Sequence, residues 1–363
     1  MNSRSAAKVL YSPFINELMT DVFLLLLSLL KQIPNPEDPM AGKKPTVSLF
    51  VILMCVTAIG VFLMETDSKV QLKSTFQPTY VDPCSCGKCL SENDTWFMKR
   101  FNESEDPFLS EHFSLSAAAF SWWRLLQGER CSFLKFKNTV NALFQIFPPN
   151  PHVLEPRPER CRTCAVVGNS INLKGSGYGR LIDHHDVIIR INYGPTKGFE
   201  ADVGNRTTHR VMYPESSMDL DDTTHLILFP FKLRDLEWLI RVFTARFPGK
   251  KYGSLKSVMT GNKDLVMVLN PTFMKYVHES WLDMKGKYPS TGFITLILAL
   301  HICGEVDVFG YGADKDGNWS HYFEKLTSKT LKTGVHPGLH EYEVIGKLAR
   351  KRKITFFSGR HNL

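Results

Sequence analysis

Ala165-Val166-Val167-Gly168-Asn169-Ser170 is a short apolar run that stops at a glycine and continues with two polar residues. The run predicts a buried β-strand, and Gly168 permits the sharp turn that ends it. A second apolar strand, 187–191, ends in the same way at Asn192. Side chains that directly follow parallel strands lie at the edge of the sheet where α/β folds bind ligands. Asn169 and Asn192 are therefore candidates to bind a polar, nucleotide-like ligand, although asparagines at such positions also stabilise turns.

Strand and helix patterns alternate along the second half of the chain. Residues 96–147 have a helical, aromatic-rich pattern, and a proline-rich linker, 148–158, separates them from the alternating part. Strands are predicted at 164–168, 187–191, 209–213, 224–230, 265–269, 306–310 and 353–357. Helices are predicted at 233–246, 271–284 and 291–303. This alternation predicts a single α/β domain with a largely parallel sheet flanked by helices.

Composition and charge narrow the class of ligand. The chain of 363 residues has a net charge of +8, and 22% of its residues are charged, which suits a protein that handles anionic ligands. It contains neither a long run of Lys and Arg nor an aromatic box of the kind that binds RNA. The sequence therefore predicts no nucleic acid partner.

One uncharged run near the N-terminus is long enough to span a membrane. Val47 to Met64 is 18 residues long, near the minimum of about 17 for a transmembrane helix. Lys43 and Lys44 precede it, and this positive flank predicts a cytosolic N-terminus. A cleaved signal peptide is the alternative, but the run is long for one and no small-residue cleavage site follows. The predicted organisation is a tail with a possible N-terminal extension at 1–46, a signal anchor at 47–64, a stem at 65–80 and a lumenal catalytic domain at 81–363.

Four segments, in order along the chain, carry a family resemblance. Residues 161–204 contain Cys-Arg-Thr-Cys-Ala-Val-Val-Gly-Asn-Ser, Arg-Ile-Asn and Gly-Phe-Glu-Ala-Asp-Val-Gly, which together resemble the large sialyl motif of eukaryotic sialyltransferases. Residues 288–314 resemble the small motif of that family, and His-Tyr-Phe-Glu at 321–324 resembles the third motif. His336 and Glu341 resemble the very small motif. Within the family, the chain looks most like the β-galactoside α-2,3-sialyltransferases that act on Galβ1,3GalNAc.

The resemblance implies a fold, a reaction and a location. The fold would be a variant of the nucleotide-sugar glycosyltransferase fold. The reaction would be inverting transfer of sialic acid from CMP-sialic acid to the 3-hydroxyl of a terminal galactose, in Galβ1,3GalNAc of O-glycans or glycolipids. The protein would be a single-pass type II glycoprotein of the Golgi membrane with its catalytic domain in the lumen. The alternatives are a sialyltransferase of another acceptor or linkage, and a catalytically silent, lectin-like Golgi protein.

The resemblance also implies roles for individual residues. His336 is expected to be the general base, since histidine is a suitable base near neutral pH, and His321 is expected to face the leaving phosphate. The residues expected to bind the donor are Asn169, Asn192, Tyr252, Tyr288, Ser290, Gly292 and Gly312. Those expected to bind the acceptor are Gln127, Tyr213 and Trp319. Ser290 and Thr291 can also cap the following helix, whose N-terminal N–H groups would help to hold an anionic donor.

A lumenal domain is expected to carry two kinds of covalent modification. Its cysteines would be oxidised, although their spacing superficially resembles that of zinc ligands and sequence alone does not settle their pairing. The resemblance implies the disulfides Cys84–Cys89, Cys86–Cys161 and Cys164–Cys303 and leaves Cys131 over. Among the Asn-x-Ser/Thr sequons, those at Asn93 and Asn102 are the expected glycosylation sites.

Three acidic clusters raise the question of a metal. Asp219-Leu-Asp221 and Asp314-Lys-Asp316 match the Asp-x-Asp pattern of metal-dependent glycosyltransferases, but so short a pattern is common by chance. Asp183-His184-His185-Asp186 offers further ligand types, yet adjacent residues on a strand point to opposite faces. The family that the chain resembles neutralises its single phosphate with protein groups. We therefore expect no metal, and no cofactor apart from the donor substrate.

Overall fold

The structure is a computed structural model that describes residues 86, 90, 94–112, 115–149, 161–244, 255–325 and 333–359. The predicted membrane span at 47–64 and the predicted stem lie outside these residues. Within the described part of the chain, no helix is both long enough and apolar enough to cross a membrane.

Seven parallel strands form one sheet, which confirms the predicted fold class. The strands are β1 (Thr163–Val167), β2 (Val187–Ile191), β3 (His209–Met212), β4 (His225–Leu228), β5 (Val266–Val268), β6 (Glu305–Phe309) and β7 (Thr355–Phe357). Their order across the sheet is β5-β4-β3-β2-β1-β6-β7. The chain therefore builds the sheet outward from β1 in one direction and then returns to the other side of β1 with β6. Such a reversal of strand order is where open α/β sheets bind ligands.

The described helices include those predicted at 233–246, 271–284 and 291–303, with one corrected end, and others that were not predicted. They are α1 (Thr95–Met98), α2 (Ala117–Trp123), α3 (Phe133–Phe144), α4 (Gly179–Asp183), α5 (Glu200–Val203), α6 (Leu233–Thr244), α7 (Pro271–Tyr276), α8 (Thr291–Ile302) and α9 (Gly338–Arg350). The helix predicted at 271–284 is wrong at its end, because α7 continues as a π-helical turn, Val277–Trp281, and the left-handed residues Asp283 and Met284 stop it. Helix α9 and the short helices α4 and α5 were not among the predicted helices.

Helix α8 is the central helix of the fold. Its residues are apolar on nearly all sides, as expected of a helix enclosed by other elements, and most of them are buried. Its N-terminus starts at the N-cap Ser290, whose Oγ accepts a hydrogen bond of 3.1 Å from Phe293 N. Its C-terminus ends at Cys303, which forms a disulfide with Cys164 in β1. The bridge fixes the helix against the central strand.

The disulfides agree with the expected pairing where the structure describes them. Besides Cys164–Cys303, Cys86 pairs with Cys161 directly before β1. Cys131 is buried and is not in a disulfide. The expected bridge between Cys84 and Cys89 lies outside the described residues.

The aromatic segment before the linker packs against the carboxyl end of β4. Trp123 is fully buried, and its indole Nε1 donates a hydrogen bond of 2.7 Å to Pro230 O. Its ring also packs edge-on against Phe136 of α3, at 5.2 Å between centroids. This packing places the loop after α2 beside the residues that follow β4.

Candidate active site

The ends of β1 and β6 meet closely at the reversal of strand order. Gly168 N donates to Phe309 O at 2.8 Å, and Ser170 Oγ donates to Gly312 O at 2.8 Å. A Cβ atom on Gly168 would lie only 2.3 Å from Gly310 O. Only glycine therefore permits this approach of the two strand ends, which opens a pocket above them.

A pocket of about 170 Å³ lies at this edge of the sheet. Most of the residues expected to bind the donor line it, together with His321 and Trp319: Asn169, Asn192, Ser290, Gly292, Gly312, Trp319 and His321. Trp319, which was expected to bind the acceptor, thus lies among the residues expected to bind the donor. Tyr252 lies outside the described residues.

The two strand-end asparagines connect neighbouring parts of the pocket wall. Asn169 Nδ2 donates to Ile191 O at 2.9 Å and so joins the ends of β1 and β2. Asn192 has a φ of 55°, in the left-handed region that asparagine tolerates better than most residues. Its Oδ1 lies 3.0 Å from Ser216 Oγ. Both residues therefore stabilise turns, as the alternative interpretation of the sequence had it, while lining the pocket.

A buried arginine supports the Asn192 turn from below. Arg210 is 4% exposed, and its NH1 donates to Asn192 O and Gly194 O at 2.9 and 3.0 Å. Burial lowers the pKa of Arg210 to about 10, which leaves it charged at neutral pH. A positive charge therefore lies beneath a pocket that is suited to an anion.

The first turn of α8 forms a second wall of the pocket, and Glu341 of α9 holds its cap. Ser290 N donates to Glu341 Oε1 at 2.7 Å, and Ser290 Oγ donates to Glu341 Oε2 at 2.6 Å. Burial raises the pKa of Glu341 to about 7, although these hydrogen bonds oppose the shift. Because a helix N-terminus attracts anions, a neutral Glu341 leaves that attraction available to a ligand.

His336 lies in the loop before α9, with its ring orientation set by the backbone. Its Nδ1 is 3.1 Å from Tyr288 O, and its ring packs edge-on against the Tyr288 ring at 4.9 Å. A carbonyl oxygen can only accept, so Nδ1 carries the proton and a neutral ring has its lone pair on Nε2. Burial lowers the pKa of His336, against the smaller opposing effect of the bond to Tyr288. The neutral ring of His336 therefore has one defined acceptor atom, Nε2.

His321 has a different, charged surrounding. Its Nδ1 is 2.8 Å from Glu324 Oε2, and its ring stacks on Phe323 at 5.2 Å between centroids. A carboxylate oxygen accepts, so Nδ1 donates to Glu324. Only the imidazolium form could also donate from Nε2 to an anionic oxygen in the pocket. The geometry thus suits His321 to contact with a phosphate.

The residues expected to bind the acceptor extend away from His336 along the carboxyl edge of β3 and β4. The Tyr288 ring lies 5.5 Å from Phe231, and the Phe231 ring lies 5.9 Å from Tyr213. Gln127, in the loop after α2, joins this row through Lys232, whose Nζ donates to Gln127 Oε1 at 3.0 Å. Sequence reasoning gave no role to Phe231 and Lys232.

Other pocket residues had been given no catalytic or binding role, among them Ser170, Tyr311 and Glu341. Ser170 and Tyr311 follow the strand ends, and Glu341 lies on the unpredicted helix α9. Tyr311 OH donates to Gly292 O at 2.8 Å and so links the end of β6 to the first turn of α8. In the sequence, its position between two glycines directly after a predicted strand could have marked Tyr311 as a candidate site residue.

The acidic clusters make contacts within the chain. Asp219 accepts from Lys256 and from Thr260 N, and Asp221 Oδ1 accepts from the backbone N–H groups at 223 and 224. Asp314 Oδ1 accepts from the N–H groups at 316 and 318. In the Asp183–Asp186 cluster, Asp183 bonds the backbone at 205 and 206, and His185 lies 3.1 Å from Asp307 Oδ2. Each of these carboxylates, and the imidazole of His185, therefore already takes part in a turn or an ion pair.

A parallel sheet with a pocket at the reversal of its strand order is typical of nucleotide-binding α/β enzymes. The family model described as glycosyltransferase family 29 (sialyltransferase) matches residues 108–353. The chain belongs to this family.

Curated relatives and solved structures agree with the family. The chain is 44% identical over 339 residues to the pig protein named CMP-N-acetylneuraminate-beta-galactosamide-alpha-2,3-sialyltransferase 1, which covers 88% of this chain and 98% of the relative. It is 39% identical over 340 residues to the chicken protein of the same name, covering 88% and 99%. A crystal structure of a mammalian sialyltransferase, 44% identical, superposes with a TM-score of 0.71 over 77% of this chain and 99% of the other. A second crystal structure of a mammalian sialyltransferase, in complex with Gal-beta-1-3GalNAc-ortho-nitrophenol, gives a TM-score of 0.70 at 44% identity over 77% and 100% of the two chains.

Proposed function

We propose that this chain transfers sialic acid from CMP-sialic acid to the 3-hydroxyl of a terminal galactose, with inversion and with preference for Galβ1,3GalNAc. The relatives at 39% and 44% identity carry the α-2,3-sialyltransferase name. A related structure holds an analogue of the proposed acceptor. The observation in this chain that carries the proposal is the 3.1 Å contact between His336 Nδ1 and Tyr288 O, which leaves Nε2 of the neutral ring as an acceptor.

In the proposed reaction, the residues on each side of the pocket have a different role. The acceptor O3–H gives its proton to His336 Nε2, O3 bonds to the anomeric carbon, and the bond from that carbon to the phosphate oxygen breaks. The electron pair of the broken bond leaves with CMP. His321 and the first turn of α8 stabilise the departing phosphate, since donors aimed at developing charge lower the barrier. Asn169, Asn192 and the Ser290 region hold the nucleotide part.

An acceptor panel with linkage analysis tests the reaction. Galβ1,3GalNAc, Galβ1,4GlcNAc and a methyl β-galactoside would each be incubated with CMP-sialic acid, and the products would be analysed for linkage. We expect α-2,3 products, formed fastest with Galβ1,3GalNAc. A different linkage or preferred acceptor would correct the specificity, and the absence of CMP release with every galactoside would favour a silent, lectin-like protein.

We propose that the reaction needs no metal. The candidate Asp-x-Asp carboxylates already bond backbone N–H groups or Lys256, and protein donors and cations lie around the pocket. Turnover should therefore be unchanged, within about twofold, after exhaustive treatment with EDTA. Loss of activity that manganese restores would contradict this.

We propose a type II location in the Golgi membrane, anchored by Val47 to Met64. The uncharged run and the flanking Lys43 and Lys44 support it. A protein that begins at Thr66 should be secreted in an active form, glycosylated at Asn93 and Asn102. Asn102 is exposed, as a glycan acceptor must be, and Asn93 lies outside the described residues. A folded but inactive secreted protein would show that the removed segment does more than anchor the enzyme.

A further inference from the structure

One face of helix α9 lines the pocket at the reversal of strand order. Glu341, Tyr342 and Ile345 are pocket residues, and side chains three or four positions apart lie on the same face of a helix. Glu341 is engaged with Ser290 through both of its oxygens. Tyr342 and Ile345 therefore form the apolar part of this wall, and the proposed reaction gives neither of them a role.

The ring of Tyr342 is held at the pocket wall by packing against two neighbours. A Cβ atom built on Gly312 would lie only 2.5 Å from Tyr342 Cε2, so the ring rests directly on the Gly312 backbone. Gly312 has a φ of 93°, a conformation that glycine adopts without strain. The same ring packs edge-on against Phe356 of β7, at 5.8 Å between centroids. These two contacts fix where the ring lies.

The hydroxyl of Tyr342 is not needed to hold the ring there. Among the residues that the structure describes it has no hydrogen-bond partner, in contrast to the hydroxyl of Tyr322, which donates to Pro195 O at 2.6 Å. Tyr342 is also only half-buried. The feature that Tyr342 offers to a ligand is therefore its ring, whose π surface can stack on another flat group.

Tyr342 differs from the other tyrosine and the tryptophan of the pocket, Tyr311 and Trp319. Tyr311 OH donates to Gly292 O at 2.8 Å, so this side chain links the end of β6 to α8. Trp319 lies two positions before His321, on the segment expected to contact the phosphate. Because Tyr342 belongs to neither of these elements, it can contact a different part of the ligand.

The part of a CMP-sugar donor that suits an aromatic wall is the base. The face of a tyrosine ring carries partial negative charge, so a phosphate or a carboxylate gains nothing by lying against it. A nucleobase is flat and has a π face of its own, and its stacking on an aromatic side chain raises affinity by about 5-fold or more. The polar groups of the pocket, among them Asn169 and Asn192, remain available for the ribose and for the edge of the base.

We propose that Tyr342 is a donor-binding residue whose ring stacks on the nucleobase of the donor. The base lies against Tyr342, while the phosphate lies toward His321 and the first turn of α8. The proposal rests on the proposed use of CMP-sialic acid and adds a residue to that site. Because stacking depends on the ring, a phenylalanine should serve at position 342 as well as tyrosine does, whereas an aliphatic side chain should not.

The test measures ligand binding to Tyr342→Leu and Tyr342→Phe. CMP and cytidine are titrated calorimetrically, and ribose 5-phosphate, which lacks the base, is measured by its displacement of CMP. In Tyr342→Leu we expect the Kd values for CMP and cytidine to rise about 5- to 30-fold, while the value for ribose 5-phosphate changes less than about twofold. Tyr342→Phe should bind all three within about twofold of wild type. Tyr342→Met provides a second variant without a ring if leucine does not pack on Gly312.

Tyr178→Leu is the matched control. Tyr178 is also half-buried, and it packs edge-on against Phe357, the next residue of β7, at 5.4 Å. Adjacent residues of a strand point to opposite faces of the sheet, and Tyr178 is not a residue of the pocket. This control should lose thermal stability much as Tyr342→Leu does, yet keep the Kd for CMP within about twofold of wild type. It separates the loss of packing on β7 from the loss of stacking on the base.

Three results would overturn the proposal while leaving sialyl transfer in place. The first is an unchanged Kd for CMP in Tyr342→Leu. The second is an equal weakening of CMP and ribose 5-phosphate binding in that variant. The third is a loss of CMP affinity in Tyr342→Phe as large as in Tyr342→Leu, which would assign the contact to the hydroxyl. Failure of the proposed function is a distinct result, since the wild-type protein would then release no CMP from CMP-sialic acid with any galactoside.

Discussion

The two halves of the candidate site are built in different ways. The donor half consists of the ends of β1, β2 and β6 and the first turn of α8, and its groups are held by backbone bonds such as Gly168 N to Phe309 O. The acceptor half consists of the side chains of Gln127, Tyr213, Phe231 and Lys232, which come from the loop after α2 and from the segments after β3 and β4. Strand ends and a helix N-terminus are fixed by the fold itself, whereas side chains on loops can change without disturbing the sheet.

Because the two halves are built differently, a substitution in the acceptor half can change the preferred acceptor without changing the type of reaction. A nucleotide donor is recognised where main-chain geometry is constrained by the reversal of strand order. We expect the acceptor to be recognised by side chains, among them the aromatic row of Tyr288, Phe231 and Tyr213. His336 stands between the halves, held by Tyr288 O, which directly precedes the donor-half segment at Pro289 and Ser290. Substitutions in each half should therefore alter different kinetic constants.

The largest effect is expected for His336→Ala, which removes the base without touching either half. Turnover should fall by at least about 100-fold, the usual order for a lost general base, while the Kd for CMP stays within about twofold of wild type. Isothermal titration with CMP and a steady-state assay measure the two. Burial lowers the pKa of His336, so wild-type kcat should decline in acid only below the ordinary histidine pKa of about 6.5.

His340→Ala is the control within the same segment. His340 contacts Lys285 and Glu343 at 3.4 and 3.3 Å and has no place in the proposed reaction. Its variant should retain nearly wild-type turnover. An inactive His340 variant together with an active His336 variant would reverse the assignment of the base.

For His321→Ala, in the donor half, we expect a smaller effect on kcat together with weaker CMP binding. The proposed contact is present with the bound phosphate and grows as the phosphate leaves, so both CMP affinity and kcat should fall, the former by about 10-fold or more. The acceptor KM should stay unchanged. Weak CMP binding with normal kcat, or normal CMP binding with low kcat, would each contradict the double role.

The two halves of the site also differ in how far they could be predicted from the sequence. The donor half follows from local patterns, because each strand is an apolar run and each ligand-side residue comes directly after one, as Asn169 and Asn192 do. Ser290 precedes an apolar helix and is its N-cap, as predicted. Periodicity and turn chemistry carry this information because it resides in neighbouring residues.

The rest depends on contacts between distant residues. Lys232 and Gln127 are 105 positions apart, and no local pattern joins them. Helix α9 was missed for a related reason: its buried stripe contains Val344, Ile345 and Leu348, but the position that begins it is Glu341. A buried carboxyl group interrupts the apolar period, and only the contact with Ser290 in the folded chain shows why it is there.

The same carboxyl group provides the smallest effect on the kinetic constants, in Glu341→Gln, together with an effect on stability. The folded pKa of Glu341, about 7, lies above its ordinary value of 4.5. The folded chain therefore binds a proton that the unfolded chain has lost between these pH values, and stability falls as pH rises from about 4.5 through about 7. The difference amounts to about 3 kcal/mol at pH 8. The substituted amide would resemble the protonated acid, so the variant should lose this pH dependence and be the more stable form at pH 8.

The affinity for the donor should also fall as the pH rises. Above pH 7 the ionised Glu341 of the wild type places a negative charge beside the first turn of α8, so the KM for CMP-sialic acid should rise a few-fold between pH 6 and pH 8. In Glu341→Gln it should stay nearly constant, and the acceptor KM should be unaffected in both. Thermal melts and donor KM values across that range measure the two effects. If the variant kept the wild-type slope in both, Glu341 would not be the titrating group.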